Sequence, residues 1–92
     1  MYTNWTYKFY VAQAGPSAVA SALGEFGVKA ATLTLAKGIW KGEALVTTVV
    51  EIIALPEQEV LPLARFLRDR FLQESIMVTK TEEHFLLVEV KP

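Results

Sequence analysis

Hydrophobic and polar positions first alternate over residues 6–12. Tyr7, Phe9 and Val11 interleave with Thr6, Lys8 and Tyr10, the period of two that a half-buried strand requires. Gly15-Pro16 ends this pattern and places a proline at a helix start. Over 17–26 the period becomes helical: Val19, Leu23 and Phe26 share a face, while Ala18, Ala20 and Ala22 raise helix propensity. Gly27 follows as a C-terminal cap, since glycine enters the left-handed region without strain. Alternation returns over 31–36, with Leu33 and Leu35 opposite Thr32 and Thr34. The strongest predicted strand is 46–54. It sets Val46, Thr48, Val50 and Ile52 against Thr47, Val49, Glu51 and Ile53, so it belongs at the sheet centre or under cover on both sides.

Pro56 closes that strand, and a second helix is expected to run to about Gln73 with Val60, Leu63, Ala64, Leu67 and Phe71 along one face. Only the first four helical N–H groups lack an intrahelical acceptor. Pro62 therefore predicts a start near Gln58 or Glu59, and an earlier start predicts a kink. Glu57 and Glu59 suit the positive end of this helix; Arg65, Arg68 and Arg70 suit its C-terminal half. A strand over 75–80, a turn at Thr81, Glu82 and Glu83, and a last strand over 84–90 complete the reading. That last strand is apolar on both faces, a liability at a sheet edge unless something covers it, and it reads as a subunit contact.

The expected fold is α+β: a single ferredoxin-like domain over 1–92, a βαββαβ sandwich with an extra C-terminal strand and both helices on one face of an antiparallel sheet. Tyr10, Thr32, Thr34, Thr47, Val49, Glu51 and Ile53 fall on the other face, which must meet water or another subunit.

Composition sharpens this. At 92 residues, 52% hydrophobic and 21% charged, with a mean hydropathy of +0.31, the chain is too apolar for disorder and rich for a small monomer. A chain of this size buries only about 60–65% of its unfolded surface, and association is a common remedy. Nine Lys and Arg against ten acids leave a net charge of −1, which disfavours duplex nucleic acid as a partner. The absence of Cys excludes disulfides, thiolate metal sites and a Cys nucleophile, and a single His excludes a His cluster, so no metal or cofactor is expected. The apolar stretches 49–55 and 85–90 are broken by Glu or too short to span a bilayer, and residues 1–13 lack the pattern of a signal peptide. A cytoplasmic protein without a membrane partner is the expectation.

The segment 37–43 is the most unusual chemistry in the chain. Lys37 and Lys41 suit phosphates, Gly38 and Gly42 let backbone N–H groups approach an anion, Trp40 suits stacking on a ring, and Glu43 closes the segment. A plain hairpin whose tryptophan packs on the sheet is the competing reading. No phosphate-binding glycine fingerprint is present. Glu51, inside an apolar strand, needs a partner or water; Lys8 or an Arg of another subunit would serve as that partner. His84 is either an acid–base group with Glu83 or an ordinary strand-edge histidine. Arg65 and Arg68 share a helical face that either binds an anion or pairs with Asp69 and neighbouring Glu. Tyr2, Trp5, Tyr7 and Tyr10 crowd the N-terminal segment and read as packing, since no basic background accompanies them.

The order of elements and the Gly38-Ile39-Trp40-Lys41-Gly42-Glu43 segment resemble the PII-like and CutA-like superfamily and its small relatives. Residues 34–53 and 61–78 match its layout, and Phe71-Leu72-Gln73-Glu74-Ser75-Ile76 is similar to the helix-to-strand junction of the small relatives. The resemblance implies a homotrimer whose sheets pack together, with small ligands, often adenine nucleotides or other anions, in clefts between subunits. In PII proteins a long loop between the second and third strands contacts targets. Here that loop is much shorter, and the family's basic motif near the second helix is not recognisable.

Three functions follow from these readings. The first is a non-enzymatic oligomer that binds a small anionic ligand such as a nucleotide, to regulate or to sequester, with the ring on Trp40 and phosphates near Lys37 and Lys41. The second is a dimeric α+β-barrel enzyme of cofactor-free oxygenase or isomerase type, using Glu51, His84 and Tyr10 in a closed pocket. The third is a structural subunit that pairs its apolar last strand with a partner. This architecture hosts all three.

Overall fold

A computed structural model describes residues 1–89 of the chain. Its elements are β1 (Tyr2–Ala12), α1 (Pro16–Phe26), β2 (Thr32–Trp40), β3 (Glu43–Ile53), α2 (Glu57–Arg70) and β4 (Met77–Phe85). The strands form one antiparallel sheet in the order β2-β3-β1-β4, and the two helices lie on one of its faces. This is the ferredoxin-like βαββαβ arrangement expected from the pattern.

Register sorts the side chains. Phe9 lies opposite Val50, Tyr7 opposite Ile52 and Val11 opposite Thr48, and all six are buried. Val19, Ala22 and Leu23 of α1 and Leu63, Ala64 and Leu67 of α2 meet them in one core. Burying a side chain such as Phe9 or Leu63 contributes about 1.5–3 kcal/mol. The Thr48 hydroxyl lies in this core and donates to the Ala14 carbonyl at 2.6 Å, tying β3 to the turn before α1. Phe26 and Phe66 join the helices at 5.4 Å between ring centroids. Gly27 caps α1 at φ 102°, and Arg70 reaches Glu25 at 3.7 Å.

Beyond the 37–43 segment, where β2 extends to Trp40 and β3 begins at Glu43, four further departures from the pattern-based expectation matter. First, β1 begins at Tyr2, because Tyr2 through Tyr10 pair with Phe85 through Met77, and the Tyr2 ring stacks on Phe85 at 5.6 Å. Second, that same pairing runs unbroken through Thr81, Glu82 and Glu83, so no turn interrupts β4 there. Their polarity reads as a turn, but an outer strand needs a backbone partner on one side only and tolerates charge on the other. Third, the extra C-terminal strand over 84–90 is therefore not formed among the described residues. His84 and Phe85 end β4, residues 86–89 lie outside any strand, and Val90 lies outside the described residues. Fourth, α2 starts at Glu57 and carries Pro62 inside it, so the exposed Gln58 carbonyl lacks its ladder donor.

Candidate functional site

The 37–43 segment is not an open loop. Trp40 pairs with Glu43, and the chain reverses over Lys41 and Gly42 alone. Both residues have positive φ, 49° and 82°, the signs a two-residue I′ hairpin turn requires. The strands thus continue to the hairpin tip, and alternation fixes where each side chain goes. Gly38 and Trp40 fall on the sheet face away from the helices; Lys37 falls on the helix side with Leu33 and Leu35.

A cavity of about 490 Å³ lies on the helix-free face at this end of the sheet. Its floor is Tyr10 and Ala12 of β1, Thr47 of β3 and Gly38 of β2. Trp40, Lys41 and Glu43 of the hairpin line it, as do Leu72, Gln73, Glu74 and Ser75 from the α2–β4 junction. Of the six residues singled out in the sequence, Gly38, Trp40, Lys41 and Glu43 come together here. Lys37 and Gly42 do not line the cavity: Lys37 faces the other way, and Gly42 serves the turn.

Gly38 has a steric reason. A Cβ there would sit 3.1 Å from the Thr47 hydroxyl oxygen, tighter than ordinary van der Waals contact. The glycine lets Thr47 approach the floor. Trp40 is 47% exposed, so its ring supplies a wall without belonging to the core. Two side-chain contacts hold the junction. Gln73 Nε2 donates to the carbonyl of Ala12 at 2.9 Å, anchoring the junction to the end of β1, and also to the carbonyl of Phe71 at 3.0 Å. Lys41 Nζ meets Glu74 Oε2 at 2.9 Å, joining the hairpin tip to the junction. The hydrogen bond and the charge of Lys41 hold the Glu74 carboxyl below the usual carboxylate range.

The backbone marks the same place. Four non-glycine residues among those described have positive φ: Gln13, Lys41, Ala54 and Leu72. All but Ala54 line this cavity. Such conformations cost free energy and concentrate at functional sites. Leu72 is also 91% exposed, an apolar side chain held at the rim rather than in the core.

The remaining candidates resolve differently. Glu51 lies on the helix-free face opposite Lys8 and Thr32, half-buried. His84 lies on the helix side, near Thr3 Oγ1 at 3.2 Å and Glu82 at 3.5 Å. Glu51 and His84 are thus on opposite faces, and one chain does not assemble them with Tyr10. Arg68 pairs with Asp69 at 2.8 Å, the solvated-face alternative. Trp5 and Tyr7 pack beneath Lys80, whose ammonium is 4.5 Å from the Trp5 ring centroid and 3.3 Å from Glu57. No group of three metal-ligating side chains occurs among the described residues, and no described helix is long and apolar enough to cross a membrane.

Leu72, Gln73 and Glu74 entered the sequence reading only through the resemblance of their helix-to-strand junction, not as site residues. Glu74 is 33 residues from Lys41. Beside that resemblance, the signal was a polar run, Gln73-Glu74-Ser75, directly after a helix end.

No protein-family model matches the sequence, and no curated protein does. Solved structures do match in shape. A nitrogen regulatory PII-like protein from Thiomonas intermedia K12, bound to ADP, AMP and bicarbonate, superposes with a TM-score of 0.65 at 18% identity, over 96% of this chain and 98% of that one. A phage SAM lyase in its apo state gives 0.66 at 16% identity, over 87% and 81%. Arabidopsis thaliana PII bound to citrate gives 0.59 at 14%, over 85% and 75%. The fold is that of the PII-like, ferredoxin-like α+β proteins.

Proposed function

We propose that this chain is a non-enzymatic, oligomeric small-ligand-binding protein of the cytoplasm, regulatory or sequestering, whose ligand carries a planar ring held against Trp40. The observation that carries this reading is the cavity itself. One face of the sheet offers about 490 Å³ bounded by an exposed tryptophan, a tyrosine and several polar side chains, where three strained backbone positions converge. A site that mixes apolar walls with a few placed polar groups suits a small molecule. The ADP, AMP, bicarbonate and citrate in the PII-like neighbours support the class of ligand, a nucleotide or other small anion.

In this reading Trp40 and Tyr10 take the ring, and Lys41 is the cation available to an anionic group. Lys37 no longer has that role, because alternation turns it to the other face. The helix-free face around the cavity also carries Val49, Glu51 and Ile53 without helix cover, which suits burial against other copies of the chain.

The test is Trp40→Ala, followed by calorimetric titration with AMP. Stacking on an aromatic side chain is worth about 1–3 kcal/mol, so affinity falls about tenfold or more. The far-ultraviolet circular dichroism stays unchanged, because Trp40 is outside the core. Unchanged affinity for AMP overturns the placement of the ring.

A further inference from the structure

Charge in the cavity limits what can follow the ring. Among the described residues its basic and acidic side chains are one lysine, Lys41, and two glutamates, Glu43 and Glu74. Lys41 is already taken by Glu74 at 2.9 Å, while Glu43 has no ion-pair partner among the described residues. Lys37, which would have made a second cation, is on the opposite face. Before any ligand enters, the lining therefore carries a formal charge of −1.

We propose that Glu74 is a specificity-determining residue of this site. It occupies Lys41, and with Glu43 it restricts the ligand to a nucleoside or a nucleoside monophosphate, excluding di- and triphosphates. This rests on the ring-binding reading above and names its ligand class. A single phosphate takes Lys41 from the Glu74 carboxylate, one anion replacing another on the same ammonium. A second or third phosphate finds no further cation among the described lining residues of this chain and meets the carboxylates that remain. Like charges near one another raise the free energy of the complex with each charge added. The exchange also separates the hairpin tip from the α2–β4 junction, because the Lys41–Glu74 pair is the ion pair that joins them.

The experiment is calorimetric titration of the full chain with adenosine, AMP and ATP, for the unaltered protein, Glu74→Gln and Lys41→Met. Both altered side chains are exposed, so the fold does not depend on them, and a thermal melt of each variant checks this. The unaltered protein binds AMP more tightly than ATP. In Glu74→Gln the competitor on Lys41 is gone, so AMP tightens about fivefold relative to adenosine measured on the same variant, and ATP by at least as much. In Lys41→Met, AMP weakens relative to adenosine measured on the same variant. Preferential binding of ATP by the unaltered protein, or AMP affinity indifferent to Glu74→Gln, overturns the charge assignment while adenosine binding leaves the ring site standing. Failure of the unaltered protein to bind either adenosine or AMP overturns the ring site and this proposal together.

Discussion

Glu74 is the side chain whose behaviour is easiest to follow on its own. Its carboxylate accepts a hydrogen bond from Lys41 and sits beside that positive charge, both of which lower its pKa. A group depressed on folding contributes stability that is present above its unfolded pKa and lost as pH falls through its folded one. The pair therefore survives acidification through the ordinary carboxylate range and opens only below it. Following the Glu74 side-chain carboxyl resonance against pH will give a midpoint below that of an exposed glutamate, and Lys41→Met will return it to the ordinary value. A midpoint already ordinary in the unaltered protein means the pair does not form in solution. At this scale the sequence was partly legible. Trp40, Lys41, Gly38 and Glu43 stood out by type, because tryptophan, lysine and glycine in a short segment carry chemistry wherever they fall. Which of them share a face depended on whether the segment was loop or strand. That turned on Lys41 adopting φ 49°, a conformation its side chain does not advertise.

Among the elements, α2 departs furthest from helical propensity. Starting at Glu57 puts Pro62 in the sixth position, where its missing N–H leaves the Gln58 carbonyl without a ladder donor. The helix persists because Leu63, Ala64 and Leu67 are buried in the core, and tertiary packing outweighs local preference. Pro62→Ala restores the donor but loses the proline's restriction of the unfolded chain. The net is a gain of about 1–2 kcal/mol, read as a higher urea midpoint at unchanged slope. A lower midpoint means that Pro62 makes a contact the helix needs. The strands show where pattern was sufficient. β3 alternates cleanly, and its buried residues Thr48, Val50 and Ile52 are those the period of two selects. β4 does not: Thr81, Glu82 and Glu83 lack an apolar face, so nothing in them signals a strand, and only pairing with β1 makes them one.

For the molecule as a whole, the proposed oligomer is a matter of exposed apolar surface. The chain extends 44 × 26 × 25 Å, longer in one direction than the two helices cover. On the helix side of the hairpin Leu35 and Ile39 stay 58% and 79% exposed, and Ile53 on the other face is exposed as well. Apolar area of this kind on a small chain marks an interaction surface. Native mass spectra of the protein as purified from cells, compared with its denatured mass, will show a symmetric oligomer, a trimer in the reading above, carrying extra mass of nucleoside monophosphate size. A ligand-free monomer removes the oligomer from the proposed function, and a ligand-free dimer moves weight to the barrel-type alternative. The fold was legible at this scale because the order of elements is a property of the whole pattern. The cavity was not, since its walls come from segments more than thirty positions apart that no local period connects.

The strand order also dictates when the molecule can exist. β2 and β3 are joined by two residues, so the loop they close is minimal and their pairing needs nothing else. β1 precedes both of its neighbours in the chain, and its place between β3 and β4 is complete only when both have formed. Its pairing with β4 brings Tyr2 to Phe85, almost the full span of the chain, which makes it the slowest contact to close. The cavity draws on the earliest of these events and the last: Trp40 from the hairpin, Glu74 and Met77 from the return to β4. On a ribosome, no nascent chain short of β4 presents both walls. A ligand in the proposed site thus reports that the hairpin and the α2–β4 junction of one chain have already come together.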